Sequence, residues 1–179
     1  MNNENIEELF HDDLKRFLLS IDMIDERLPE VPDLEDLWQR IAQSYMPDAI
    51  REFNGEYPRV AFGWIMYVGL ALAKYWDVEW TTYSKVNDLY AYLRDRIDFD
   101  HMDDYICEKV LCLNEKEHEV VNNTVGECAS RTYNTLCRMQ LSPGSKEAFH
   151  AFVAALHQMY LMGIAVEMRS LGYHMTKIG

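Results

Sequence analysis

Apolar side chains recur at three- and four-residue steps along almost the whole chain, the period of helices that bury one face. Ile6, Leu9, Phe10, Leu14, Phe17, Ile21, Ile24 and Leu28 define a first amphipathic helix, which Pro29 and Pro32 stop. Asp33 is placed to cap a second, with Leu34, Leu37, Trp38, Ile41 and Tyr45 inward, and Pro47 to open a short third piece that fades at Asn54-Gly55. Pro58 suits a first helical turn. Asp77 and Trp80-Thr81-Thr82 read as a turn and a new cap, ahead of a helix through Tyr83, Val86, Tyr90 and Leu93. Asp98 or Asp100 caps a piece containing Met102, Ile106 and Val110, and Asn114 to Leu141 forms another helix. Ser142-Pro143-Gly144-Ser145 breaks the chain before a final helix to Leu171, with Gly172 as its stop. No stretch alternates with period two, so the pattern predicts no sheet.

Two segments depart from this one-faced pattern. Val60–Ala73 and Ala148–Met168 are apolar nearly all round, as in helices buried on every side or spanning a bilayer. The first is shorter than the roughly 20 residues a span needs. The second carries His150, His157, Gln158 and Glu167, each costly at mid-membrane. The expected fold is therefore an all-α, single-domain bundle over residues 1–179, with about six to seven helices. Its first few residues are expected to be disordered, and its two central helices to lie near 58–76 and 146–171. Val68-Gly69-Leu70-Ala71-Leu72 and Met162-Gly163-Ile164-Ala165-Val166 rhyme as a weak two-part pseudo-repeat, and the two glycines are placed to mark a close helix crossing.

Composition narrows the functional classes. The chain has 179 residues and a formal charge of −13, from 30 acidic and 17 basic side chains. That balance argues against binding a phosphate backbone or an anionic lipid surface, so neither nucleic acid nor membrane is an expected partner. The polar, acidic start MNNENIEELFHDD lacks the basic and apolar regions of a secretory signal, which points to the cytoplasm. There Cys107, Cys112, Cys128 and Cys137 are expected to be reduced thiols packed as small hydrophobes.

Candidate chemistry is sparse. Glu115-x-x-His118 and Glu147-x-x-His150 share a spacing that puts carboxylate and imidazole on one helix face, as in carboxylate-bridged di-metal bundles. This is the weak metal alternative; the favoured reading has no metal and no cofactor. Glu4-x-x-Glu7 and Glu30-x-x-Asp33 resemble the Mg²⁺-binding pattern of all-helical MazG-type nucleotide pyrophosphohydrolases, in which two packed helices hold the metal against a triphosphate. Pro29 and Pro32 deny the second pair the helix that this pattern requires. No phosphate loop, nucleophile elbow, dinucleotide fingerprint or zinc-protease motif is present, and the catalytic residues are unknown.

Glu167 falls on the inner stripe of the last helix, where a carboxyl must be paired or protonated; Lys74 and Arg169 are the candidate partners. If a ligand pocket exists, Trp64, Tyr67, Lys74, His157, Tyr160 and Glu167 are its expected lining, because they combine polar tips with the most buried helices. The leading functional expectation is a non-enzymatic protein-interaction module of acidic helical-bundle type, acting as a homodimer or with another protein. The alternatives are a small-molecule-binding protein with an aromatic and Met-lined pocket, and a metal-dependent enzyme.

Overall fold

The computed structural model describes residues 3–54, 58–96 and 101–173, and among them the chain is helical with no strand. Among the described residues nine α-helices run α1 Asn3–Ser20, α2 Pro32–Asp36, α3 Trp38–Asn54, α4 Pro58–Val78, α5 Trp80–Lys85, α6 Leu89–Arg96, α7 Met102–Tyr105, α8 Glu115–Arg138 and α9 Lys146–Ser170. A π-helical turn, Ile106–Val110, follows α7.

The two all-round apolar segments form the centre. α4 packs along α9; α3 and α8 lie against α4, and α1 and α8 lie against α9. By length and composition α9 could cross a bilayer, but most of it is buried by the other helices. At the crossing, Gly69 faces Gly163. A Cβ on Gly69 would collide with the Tyr160 carbonyl oxygen and reach 3.2 Å from the Ile164 nitrogen. One on Gly163 would collide with the Met66 carbonyl oxygen. The rhyming glycines thus mark a contact of backbone on backbone, where any side chain is excluded.

Helix boundaries differ from the periodic reading wherever a cap overrides the hydrophobic stripe. α1 stops at Ser20 rather than running to Leu28. The Met23 N–H donates to the Leu18 carbonyl at 2.9 Å and the Asp22 N–H to Leu19 at 3.1 Å, with Asp22 left-handed at φ 58°. This is a Schellman stop with aspartate in the place usually taken by glycine. Ile24, still on the stripe, is buried from the loop instead. Asp33 is not a cap: Val31 precedes the helix, Pro32 takes its first turn, and Asp33 accepts from Trp76 Nε1 at 3.2 Å. Pro47 lies inside α3 rather than opening a new piece; its missing N–H leaves the Gln43 carbonyl without an intrahelical donor. The helix expected through Tyr83 and Leu93 divides into α5 and α6, because Val86 is extended and Asp88 caps afresh, its Oδ1 accepting from the Ala91 N–H at 3.0 Å. The caps expected at Asp98 or Asp100 lie outside the described residues.

Other caps are where the sequence places them. Gly172, left-handed at φ 98°, ends α9, with the Tyr173 N–H donating to Met168. Ser145 caps its start by accepting from the Ala148 N–H at 3.1 Å. Asn114 and Glu117 form a reciprocal capping box at the head of α8. Asn114→Ala should lower stability by about 1 kcal/mol, measurable as a fall in the urea midpoint at unchanged slope.

Buried polar groups are hydrogen-bonded in most cases, which fixes helix register around α4 and α9. Tyr45 Oη donates to the Ala61 carbonyl at 2.5 Å and Tyr160 Oη to Leu34 at 2.7 Å. Tyr90 Oη donates to the Asp48 carboxylate, which also faces Arg94 at 3.4 Å. Of the cysteines, Cys107 and Cys128 are buried as expected, and burial pushes each thiol up to about 12. Cys112 and Cys137 are instead exposed, so only half of the set packs as small hydrophobes.

Candidate functional site

Of the six residues expected to share one pocket, four line grooves on the bundle, and these four are divided among three grooves. The largest of these three lies between α4 and α8, with a volume of about 400 Å³. Its floor consists of small residues: Gly63 on α4, and Gly126 and Ala129 on α8. A Cβ on Gly126 would meet nothing within 4 Å, so that glycine faces open space rather than a neighbouring backbone. Trp64 and Tyr67 stand on the α4 side, their rings edge to face at 5.9 Å. Tyr67 Oη donates to Asn122 Oδ1 across the groove, which holds the two helices in register. Asp103, brought in by α7, completes the lining with its carboxyl raised by burial, and Arg59 sits at the rim with its guanidinium over the Tyr133 ring at 5.2 Å. Burial, then Cys107, Asp103 and Asp104, push the Tyr67 hydroxyl up, so it remains a neutral donor. The groove therefore presents the half-buried Trp64 ring, the edge of the largely buried Tyr67 and a carboxylate over a floor of glycine and alanine.

A second groove, of about 200 Å³, lies where α1 meets α9 and is lined by Glu7, Trp38, Phe149, His150 and His157, among others. His157 Nδ1 is 2.5 Å from Glu7 Oε1, and its ring stacks on Trp38 with centroids 4.9 Å apart. The His157 hydrogen bond holds the Glu7 carboxyl below its ordinary value against the opposing effect of burial. An ionised carboxylate only accepts, so Nδ1 carries the proton. Gln158 Nε2 donates to the same oxygen at 3.1 Å, and His11 Nδ1 donates to Gln158 Oε1 at 3.3 Å. A carboxylate-oriented imidazole is chemically able to act as a base. The groove lining offers it neither a hydroxyl nor a thiol to activate, and what the network visibly does is tie α1 to α9.

The third groove, about 240 Å³, contains Glu167 among Leu70, Leu111, Leu113, Val121 and Val166, with Arg169 at its edge. Glu167 is 7% exposed. The expected ion pair is not formed. Arg169 turns away to the loop after α1, its Nε 3.1 Å from Asp25 Oδ1 and its Nη2 2.9 Å from Asp22 Oδ1. Lys74 attracts the carboxylate from beyond ion-pair distance. Burial outweighs that attraction, Asp77 repels the carboxylate as well, and the Glu167 carboxyl is pushed up to about 7.

The six expected lining residues thus come together only in pairs. Trp64 and Tyr67 share the α4/α8 groove, and Lys74 and Glu167 sense each other electrostatically at the third. His157 and Tyr160 both meet Trp38, but only His157 reaches a groove; the Tyr160 side chain is core. The two Glu-x-x-His pairs do not converge. His118 lies 3.6 Å from Asp104 at the head of α8, whereas His150 lines the α1/α9 groove. Among the described residues no three His, Cys, Asp or Glu side chains are grouped to hold a metal.

Sequence reasoning missed Gly126, Asn122 and Asp103. Each lies on a polar helix face or short turn, where a groove-lining residue has the same pattern as a solvated one. No protein-family model, no curated protein and no solved structure matches this chain. Fold and grooves define its class directly, as an all-α bundle with open amphipathic grooves.

Proposed function

We propose that the protein is a non-enzymatic interaction module that holds a basic segment of another protein in the α4/α8 groove. The carrying observation is the pairing of Trp64 and Tyr67 with Asp103 over a floor of Gly63, Gly126 and Ala129. The Trp64 ring attracts a Lys or Arg head, the Asp103 carboxylate completes its charge, and a floor of glycine and alanine admits its long apolar stem. The net charge of −13 supports the same choice of partner, since it draws basic chains and repels acidic ones.

A Lys- and Arg-rich peptide and a Glu-rich peptide of equal length, each titrated into the protein and followed by amide chemical shifts, test this reading. The basic peptide should shift resonances around Trp64, Tyr67 and Gly126, and its affinity should fall as salt rises. Gly126→Leu should abolish the shifts while leaving the melting temperature unchanged or higher, because its side chain projects into open space. Equal shifts with both peptides, or binding that survives Gly126→Leu, would overturn the proposal. So would a mass of two chains in solution that falls to one with Gly126→Leu, because a second copy would then occupy the groove.

A further inference from the structure

A buried carboxyl with no partner, placed at the edge of an apolar cleft, is costly unless something outside the chain completes it. Glu167 is such a group: it is 7% exposed, lines the third groove, and forms no hydrogen bond or ion pair among the described residues. The charged and titratable groups around it do not resolve this. On its own helix, Arg169 is held by Asp22 and Asp25 of the loop after α1. On α4, Lys74 attracts and Asp77 repels, neither in contact. On the π-helical turn, Cys107 is a buried neutral thiol.

The rest of the cleft is apolar and is assembled from several elements. Leu70 comes from α4, Val121 from α8 and Val166 from α9. Leu111 and Leu113 come from the exit of the π-helical turn, where the Leu111 N–H donates to the Ile106 carbonyl at 2.8 Å and the Leu113 N–H to Cys107 at 2.9 Å. Cys112 between them is left-handed at φ 55° and exposed, while both leucines line the cleft.

We propose that this cleft is a binding site for a small apolar amine, whose ammonium group donates to the Glu167 carboxylate while its alkyl or aryl body lies against Leu70, Leu111, Leu113, Val121 and Val166. Charge selects the ligand class. An apolar acid would set a second carboxylate beside the first, with Arg169 at the cleft edge already engaged by Asp22 and Asp25, and an alcohol would leave the charge uncompensated. An ammonium supplies the missing counter-charge. At about 240 Å³ the cleft lies below the roughly 300–1,000 Å³ usual for drug-sized ligands, so it suits one short chain or ring bearing one amine. The site is independent of the α4/α8 groove and takes a ligand of different size.

Phenethylamine, phenethyl alcohol and hydrocinnamate share one body and differ in the head group. Calorimetric titration of each into the full chain tests the proposal. The amine should bind, the alcohol more weakly and the acid not at all. Because burial pushes the Glu167 carboxyl up to about 7, amine affinity should rise about tenfold per pH unit below that value and level off above it. Glu167→Gln should weaken the amine by about thirtyfold or more and leave the alcohol unchanged. Val121→Phe, which fills the cleft without altering its charge, should abolish binding of both. Both variants are to be checked for an intact helical signal and a cooperative melt. Equal affinity for amine and alcohol, an amine affinity unaffected by Glu167→Gln or by pH, or no binding of phenethylamine or hexylamine at millimolar concentration would each overturn the proposal.

Discussion

Gly69→Ala and Gly163→Ala should each destabilise the protein by about 3 kcal/mol or more, through the addition of a single methyl group. The reason lies in what that methyl meets. At Gly69 it runs into the Tyr160 carbonyl oxygen, with the Ile164 nitrogen at 3.2 Å and the Gly163 Cα at 3.3 Å behind it. At Gly163 it runs into the Met66 carbonyl oxygen, with the Leu70 nitrogen at 3.2 Å. These are backbone atoms of helices locked by their own hydrogen bonds, so no side chain can swing aside. Relief requires α4 and α9 to separate, and separation loosens every contact along the central pair, including Phe62 against Phe152 at 5.5 Å. Alanine's better helix propensity returns about 1 kcal/mol of the cost.

A fall in melting temperature of about 10 °C is the expected reading for a chain of this size. The double variant should cost less than the sum, because the first methyl already forces the helices apart. Gly126→Ala is the internal control. It lies in α8, meets nothing within 4 Å, and should raise stability by about 0.5–1 kcal/mol. An unchanged melting temperature for Gly69→Ala would mean that the two backbones do not touch.

Glu167→Gln should stabilise the protein at about pH 8 by about 3 kcal/mol and change little near pH 5. The Glu167 carboxyl titrates at about 7 in the fold against 4.5 in the unfolded chain, with burial as the leading cause. Below 4.5 both states hold the proton and the group adds no pH dependence. As pH rises from 4.5 to 7, the unfolded chain releases its proton first, so it binds fewer protons than the native state and stability falls. Above 7 both are ionised and the loss levels off. The shift of about 2.5 units corresponds to about 3 kcal/mol. Glutamine keeps the shape and stays neutral, so its stability should not carry this fall. Urea unfolding of both proteins between about pH 5 and 8 checks it: the curves should diverge as pH rises, and parallel curves would overturn the assignment.

The residues behind these two predictions differ in how plainly they could be read. The all-round apolar text of Val60–Ala73 and Ala148–Met168 is enough to expect two central helices, because a helix without a polar face has no stable place at the surface. Gly69 and Gly163 stand out in the same text, since glycine is otherwise unfavourable inside a helix. Glu167 stands out as a carboxyl on an apolar stripe. These features are local, being set by composition within one or two turns, and they carry over into the structure.

Pairing between distant segments is not local. Arg169 is two residues from Glu167, yet it reaches Asp22 and Asp25, because α1 ends early and brings its loop beside the end of α9. Nothing in the spacing of Glu7 and His157 announces their contact, which joins residues 150 positions apart. The α4/α8 groove depends on two glycines whose roles differ only by what stands opposite them: Gly63 is 3.6 Å by its missing Cβ from Val125, whereas Gly126 faces open space. Local composition and periodicity are enough for an acidic all-α bundle, its two central helices and the residue that cannot be comfortably buried. Where the remaining helices stop, which charges meet, and that four of the six expected pocket residues are spread over three grooves follow from the packing, because helix order in space and side-chain neighbours are fixed between segments far apart in the chain.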